Sequence, residues 1–245
     1  MNEDNGPGAF FKAMSQAFGE NIRARRDSPD FVGALCSQAF DSFEKNVALQ
    51  AEGAPALACK GECAACCTLR VVVTAPEAFL LARFAAVNAQ ALAARGVELW
   101  RRIVDTDSIV GGLSEGERMS VRRDCAFIEK GLCLAYRLRP LACRGHASFD
   151  EAACAEAAAG KSVETAISTP HVVVRGLVQN ALMSALRDAK LAWGLYELNG
   201  ALRLALSRER ALEEWLAGED PLAEAAIAEF DTDEAAATFD KVDGA

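Results

Sequence analysis

Residues 59–67 read Cys59-Lys60-Gly61-Glu62-Cys63-Ala64-Ala65-Cys66-Cys67, four thiols within nine positions. Four free thiols this close oxidise or scramble into strained disulfides, whereas thiolates around zinc or an iron–sulfur cluster are satisfied. The chain holds nine cysteines, an odd number that fits a disulfide framework poorly. Lys, Gly and Glu between the thiols are not core-like, so four unpaired core cysteines are the weaker reading. The run therefore reads as part of a metal cage.

Outward from the run, apolar residues recur at helical spacing. Phe10, Met14, Phe18 and Ile22 form one stripe. Val32, Cys36, Phe40, Phe43 and Val47 form a second, which Gly53-Ala54-Pro55 ends. Val71-Val72-Val73 is a short β-branched run. Thr74-Ala75-Pro76-Glu77 is a capping box that should open a long helix to Ala94, with Leu80, Phe84, Val87 and Ala91 inward. Residues 105–113 read as a loop, and Ser114 with Glu117 forms a second capping box. The chain from Cys125 to Cys154 looks irregular. Thr169-Pro170 starts a long helix with Val174, Leu177, Val178, Leu182 and Leu186 inward. Further helices run through Tyr196, Leu198, Leu202, Leu206 and Trp215, and Pro221 opens a last short one.

The fold class expected is mainly α, an irregular cysteine-rich metal-binding centre surrounded by helices, with little or no sheet. Aromatics at 7% and abundant alanine favour helix over sheet. The organisation expected is N-terminal helices over 1–52 and a cysteine-cluster metal-binding domain over 53–160. C-terminal helices over 161–218 should pack on it, followed by an acidic, largely disordered tail over 219–245. Residues 1–9 also read as disordered. Net charge is −9, and the stretch from Glu219 to Ala245, with nine acids and one base, holds −8 of it. The nearly neutral body has no basic face for nucleic acid. The N-terminus lacks the pattern of a signal peptide, and the longest apolar stretch is broken by Arg83, Asn88 and Gln90, so no membrane span is expected and the chain reads as cytoplasmic.

A second, wider cysteine set follows: Cys125, Cys133, Cys143 and Cys154. Together the two sets exceed what one zinc ion takes. Two ions, one polynuclear centre, or some spare thiols would each account for them. Neighbouring side chains point apart, so Cys66-Cys67 suits two metals or a cluster better than one ion. Excess thiolate charge needs nearby cations, and Arg139, Arg144 and Arg70 stand close in sequence, although surface solvation explains them equally well. Cys36 on its apolar face reads as plain core. His146, three residues after Cys143, and Cys154 are weaker candidate ligands. His171 reads as solvent-facing. Tyr136 should pack with its hydroxyl bonded near the cluster, and Glu197 and Asn199 read as surface residues.

The run 59–67, followed by Val-Thr-Ala-Pro-Glu-Ala at 73–78, resembles the YkgJ-type cysteine-cluster family, also called the CxxCxxCC or zinc- or iron-chelating domain. Its second hallmark is matched by Cys125, Phe127, Gly131, Cys133, Tyr136, Arg139, Pro140, Cys143 and Arg144. The likeness covers residues 59–148 and leaves the flanking helices unexplained. It implies seven metal ligands: Cys59, Cys63, Cys66, Cys67, Cys125, Cys133 and Cys143, with Arg139, Arg144 and Tyr136 around them. Two details depart from the pattern. Three residues separate Cys59 from Cys63 where many members have two, and Ala126 stands where proline is common.

The function expected is metal binding, with zinc or iron, including a 4Fe-4S cluster, in a structural, storage, delivery or redox role. One alternative is an iron–sulfur oxidoreductase or protein-modifying enzyme. Some proteins sharing the domain resemble flagellin lysine-methylating enzymes, and the label of iron–sulfur oxidoreductase in the family rests mainly on the cysteines. Cys59-x3-Cys63-x2-Cys66 coincides with the spacing of radical S-adenosylmethionine enzymes, but the βα pattern of their barrel is missing. A second alternative is a zinc-stapled module that binds a protein partner.

Overall fold

A computed structural model describes residues 6–244, with the side chain of residue 243 set aside. Residues 1–5, part of the stretch expected to be disordered, lie outside the described residues. Among the described residues eleven α-helices carry the fold: α1 (Pro7–Arg25), α2 (Phe31–Gln50), α3 (Ala75–Ala93), α4 (Leu99–Val110), α5 (Glu115–Val121), α6 (Leu141–Gly145), α7 (Glu151–Ala158), α8 (Thr169–Asp188), α9 (Leu198–Ser207), α10 (Ala211–Leu216) and α11 (Thr232–Asp243). Four two-residue strands complete it: β1 (Val72–Val73), β2 (Ile128–Glu129), β3 (Leu132–Cys133) and β4 (Tyr196–Glu197). The chain is mainly α, as the alanine-rich periodicity implies.

The strands make two small antiparallel ladders. In the first, Val72 pairs with Glu197 and Val73 with Tyr196, and Leu198 N–H donates to the Val71 carbonyl at 3.0 Å. This ladder ties the end of the cysteine run to the C-terminal helices. In the second, Ile128 pairs with Cys133 and Glu129 with Leu132. Lys130 (φ 52°) and Gly131 (φ 80°) close it as a two-residue turn with both central residues left-handed, the geometry that matches strand twist in tight hairpins. Arg102 of α4 pins the hairpin through Glu129 at 2.6 Å and the Ile128 carbonyl at 3.1 Å.

One continuous core joins the helices. Helix α8 packs on α1, α2 and α6, and α9 packs on α3 and α4. Phe18, Leu35, Leu81, Ile103, Leu182 and Leu186 are fully buried within it. Trp215 lies 6.0 Å from Phe31 and 5.5 Å from Phe79 between ring centroids, and its indole N–H donates to the Ala192 carbonyl at 2.9 Å. Cys36 is fully buried in this core, away from the other cysteines.

Several expectations are corrected. Residues 105–110 are the second half of α4 rather than a loop, because Leu99, Ile103, Thr106 and Val110 line up on one buried face. In α3 the inward face is Ala78, Leu81, Ala82 and Ala85, while Val87 is 75% exposed and Ala91 is exposed. Phe79, Leu81 and Leu92 are buried on the same side as these alanines, which leaves Val87 on the opposite, solvent-facing side. Helix α1 begins at Pro7, inside the stretch read as disordered. Within the stretch expected to be a largely disordered acidic tail, a 3-10 turn (Ala223–Ala225) and α11 are formed. Asp231 caps α11 by accepting from the N–H groups of Asp233 and Glu234, and Phe239 is buried against Phe11 at 5.6 Å. Glu219, Asp220, Glu224, Glu229, Asp231, Asp233, Glu234 and Asp240 are exposed while Leu222 and Phe239 are buried. Glu197 and Asn199 are buried rather than superficial, because Glu197 caps α9 by accepting from Gly200 N–H at 2.9 Å and Asn199 Nδ2 at 2.8 Å. No helix among the described residues is long and apolar enough to cross a membrane.

Candidate metal centre

The four-cysteine run is loop except for a single 3-10 turn, Ala65–Thr68, which carries Cys66 and Cys67. Gly61 and the short alanines impose no regular structure, so the backbone is free to present all four thiols. Cys125 N–H donates to the Cys67 carbonyl at 2.8 Å, which joins the first cysteine segment to the second. The β2–β3 hairpin then turns the chain back and sets Cys133 opposite Ile128, with Cys125 just before it. Cys143 sits in α6, whose backbone enters from Pro140.

Glu77 holds these parts in register. Its carboxylate is 1% exposed and accepts three hydrogen bonds: from Thr74 N–H and Thr74 Oγ1, both at 2.9 Å, and from Leu141 N–H at 2.7 Å. One side chain therefore caps α3 and the start of α6, fixing Cys143 relative to the run before α3. Burial pushes the Glu77 carboxyl up, and its donors oppose that shift.

Seven cysteines, Cys59, Cys63, Cys66, Cys67, Cys125, Cys133 and Cys143, line one cavity of about 800 Å³ together with His146. None of the nine cysteines is in a disulfide. Cys59 is exposed and the other six are half-buried. Cys59 lies within electrostatic reach of Cys66, Cys63 and Cys154. Cys67 lies within reach of Cys66, Cys125 and Cys143, and Cys143 within reach of Cys125, Cys66 and Cys133. Cys154 does not line the cavity, but its helix α7 packs on the 65–68 turn, and Lys60 pairs with Glu151 of that helix at 3.0 Å. Among the described residues no three His, Cys, Asp or Glu side chains converge at ligand spacing. The seven thiols share a cavity wall without closing a coordination polyhedron.

Burial sets the acid–base state of the site. It pushes the Cys125 thiol up to about 12, and Cys143 well up, because a buried thiolate loses hydration. Cys67 is held up and Cys66 down by the hydrogen bond between their sulfurs. Burial and the nearby Arg175 push His146 down, leaving the neutral imidazole that can ligate a metal. Soft sulfur donors with one neutral imidazole fit zinc or iron.

The surrounding arginines divide their duties. Arg139 lies near Cys66 and Cys133 and favours both thiolates, and its guanidinium stacks on Tyr136 at 4.1 Å from the ring centroid. Tyr136 is 39% exposed and offers that ring face, a correction to the packed tyrosine with a bonded hydroxyl. Arg144 donates to the carbonyls of Arg139 at 2.8 Å and Arg137 at 2.7 Å, pairs with Glu44, and lies 4.1 Å over Phe40. It clamps the turn before Cys143 to α2. Arg70 also lines the cavity and pairs with Glu229 at 3.0 Å and Glu115 at 3.5 Å. His171 is buried rather than solvent-facing: its Nδ1 meets Ser168 Oγ at 2.8 Å and its ring lies edge-on to Phe43.

Sequence reading missed Arg118. It is 2% exposed on α5, near Cys125 and Glu197, and two of its guanidinium nitrogens have no hydrogen-bond partner among the described residues. An arginine in Glu-Gly-Glu-Arg reads as solvated, and only the capping box at Ser114, which sets the direction of α5, hints otherwise. Ser148 was also missed. Its backbone N–H donates to Cys59 Sγ at 3.2 Å, and its carbonyl accepts from Ala58 N–H at 2.9 Å.

No curated protein and no solved structure matches the chain. Over residues 58–163 the chain matches the model of the CxxCxxCC family, described as "Putative zinc- or iron-chelating domain", so the resemblance read from the cysteine spacing holds across that segment.

Proposed function

We propose that the chain is a metal-binding protein whose ligands are Cys59, Cys63, Cys66, Cys67, Cys125, Cys133 and Cys143, with His146 and Cys154 as peripheral donors. The observation that carries this reading is the gathering of seven thiols, from three separate segments, on one cavity wall. The matched family, described as zinc- or iron-chelating, supports it. Seven thiols are more than one zinc ion takes, which favours two ions or one polynuclear centre over a single zinc. Arg139 and Arg118 offset the excess negative charge that thiolates bring. Zinc would brace the fold or be stored and delivered, whereas an iron–sulfur centre would add electron transfer.

The test is purification without oxygen, followed by a visible spectrum and analysis of metal and acid-labile sulfide. A brown protein with iron and sulfide assigns the redox role. A colourless protein with one or two zinc ions per chain assigns the structural or delivery role. A protein that takes up neither metal, even after reconstitution with reduced thiols, overturns the reading.

A further inference from the structure

The cavity beside the thiols is larger than an ion requires. Metal–sulfur bonds near ~2.3 Å keep an ion inside its own shell of ligands, whereas a cavity of about 800 Å³ is the size of a small-molecule pocket. Besides the thiols, apolar side chains line this cavity, among them Phe43, Val47, Leu57, Val71 and Phe149.

Arg175 stands apart from the other cations of this cavity. Lys60 pairs with Glu151, Arg70 with Glu229 and Glu115, and Arg144 with Glu44. Arg139 stacks on Tyr136 beside Cys66 and Cys133. Arg175 makes no ion pair and no side-chain hydrogen bond among the described residues. Its path is fixed by Gly145, where a Cβ atom would come within 2.5–2.8 Å of three carbons of the Arg175 side chain. Arg175 thus lines the cavity with its stem held by the backbone, while Glu115 and Glu44, the carboxylates of the same lining, pair with Arg70 and Arg144. His146 and the Ser168–His171 pair line the same cavity as hydrogen-bonding groups.

We propose that this cavity binds a small organic anion with an apolar body, its carboxylate held by Arg175 and its body against Phe43, Val47 and Leu57. A guanidinium grips a carboxylate through two parallel hydrogen bonds, and the apolar wall gains by shedding water. The proposal deepens the metal-binding reading by naming a ligand class for the same cavity, and it rests on that reading for the neighbouring metal.

The probe is decanoate, with decanol as its neutral match, titrated into the full-length protein as purified while metal content is measured on the same sample. Decanoate is expected to bind at least about tenfold more tightly than decanol. Arg175→Gln should lose that preference and keep decanol binding and metal content, and Arg175→Lys should restore part of it. Gly145→Ala should weaken decanoate by displacing the Arg175 stem. Equal affinity for the two probes, no binding of either, or an unchanged preference in a folded Arg175→Gln would overturn the proposal. A wild-type sample that binds decanoate but holds no metal would sink the metal reading and leave the pocket standing.

Discussion

Cys63 and Cys36 illustrate how position decides the role of a thiol. Cys63 lies in a loop on the cavity wall, and Cys36 is enclosed by the core of α2. Cys63→Ser should lose metal and lower thermal stability, since metal-binding energy is folding energy in such a site. Cys36→Ser should keep its metal and lose about 1–3 kcal/mol in a denaturant titration, from burying an unpartnered hydroxyl. Full metal content in Cys63→Ser would break the ligand assignment. The thiols also set a pH dependence. Cys125, at about 12, and Cys143, pushed well up by burial, are protonated at neutral pH before metal enters. Ligation must release those protons, so affinity should fall as pH falls. Metal titration in weak buffer should acidify the solution. Candidate residues at this scale were legible where chemistry is carried by residue type, as with the cysteines. They were illegible where the role depends on three-dimensional neighbours. Arg118, Arg175 and His171 each look solvated in sequence, and only the packing of α5 and α8 against the cavity reveals them.

At the level of elements, the capping box of α3 does more than start a helix. Glu77 is shared with α6, so Glu77→Ala strands the buried N–H groups of Thr74 and Leu141. A loss on the order of 3 kcal/mol is expected, with weakened metal retention, because each unpaired buried donor costs ~1–3 kcal/mol. Glu77→Gln has a single acceptor oxygen and should lie between the two. A change below ~0.5 kcal/mol for Glu77→Ala in chemical denaturation would refute the shared cap. The hairpin makes a second demand. Gly131 sits at φ 80°, where a side chain is strained. Gly131→Ala should cost about 1 kcal/mol and loosen Cys133, visible as faster loss of metal to a chelator. The capping boxes at Thr74 and Ser114 were readable because their residues are adjacent in sequence. Helix α4 was not, since its polar Asp-Thr-Asp-Ser stretch conceals the Ile103, Thr106 and Val110 face that only packing against α9 makes necessary.

For the whole molecule, one core running from Phe11 to Phe239 holds an irregular cysteine-lined cavity between α2, α6 and α8. The mainly α class was legible from helical periodicity and alanine content. Helix α11 in the acidic tail was not, because charge density alone reads as solvated, while a few apolar residues such as Phe239 are enough to anchor it on α1. The central claim is that the two cysteine segments form one metal centre. Metal-edge X-ray absorption on the full-length protein, with Cys63→Ser and Cys143→Ser alongside, tests it most directly. The account predicts a sulfur-dominated shell with bonds near ~2.3 Å, and a marked loss of metal in both variants. A shell of nitrogen and oxygen, or metal retained in full when Cys143 is replaced, would contradict it.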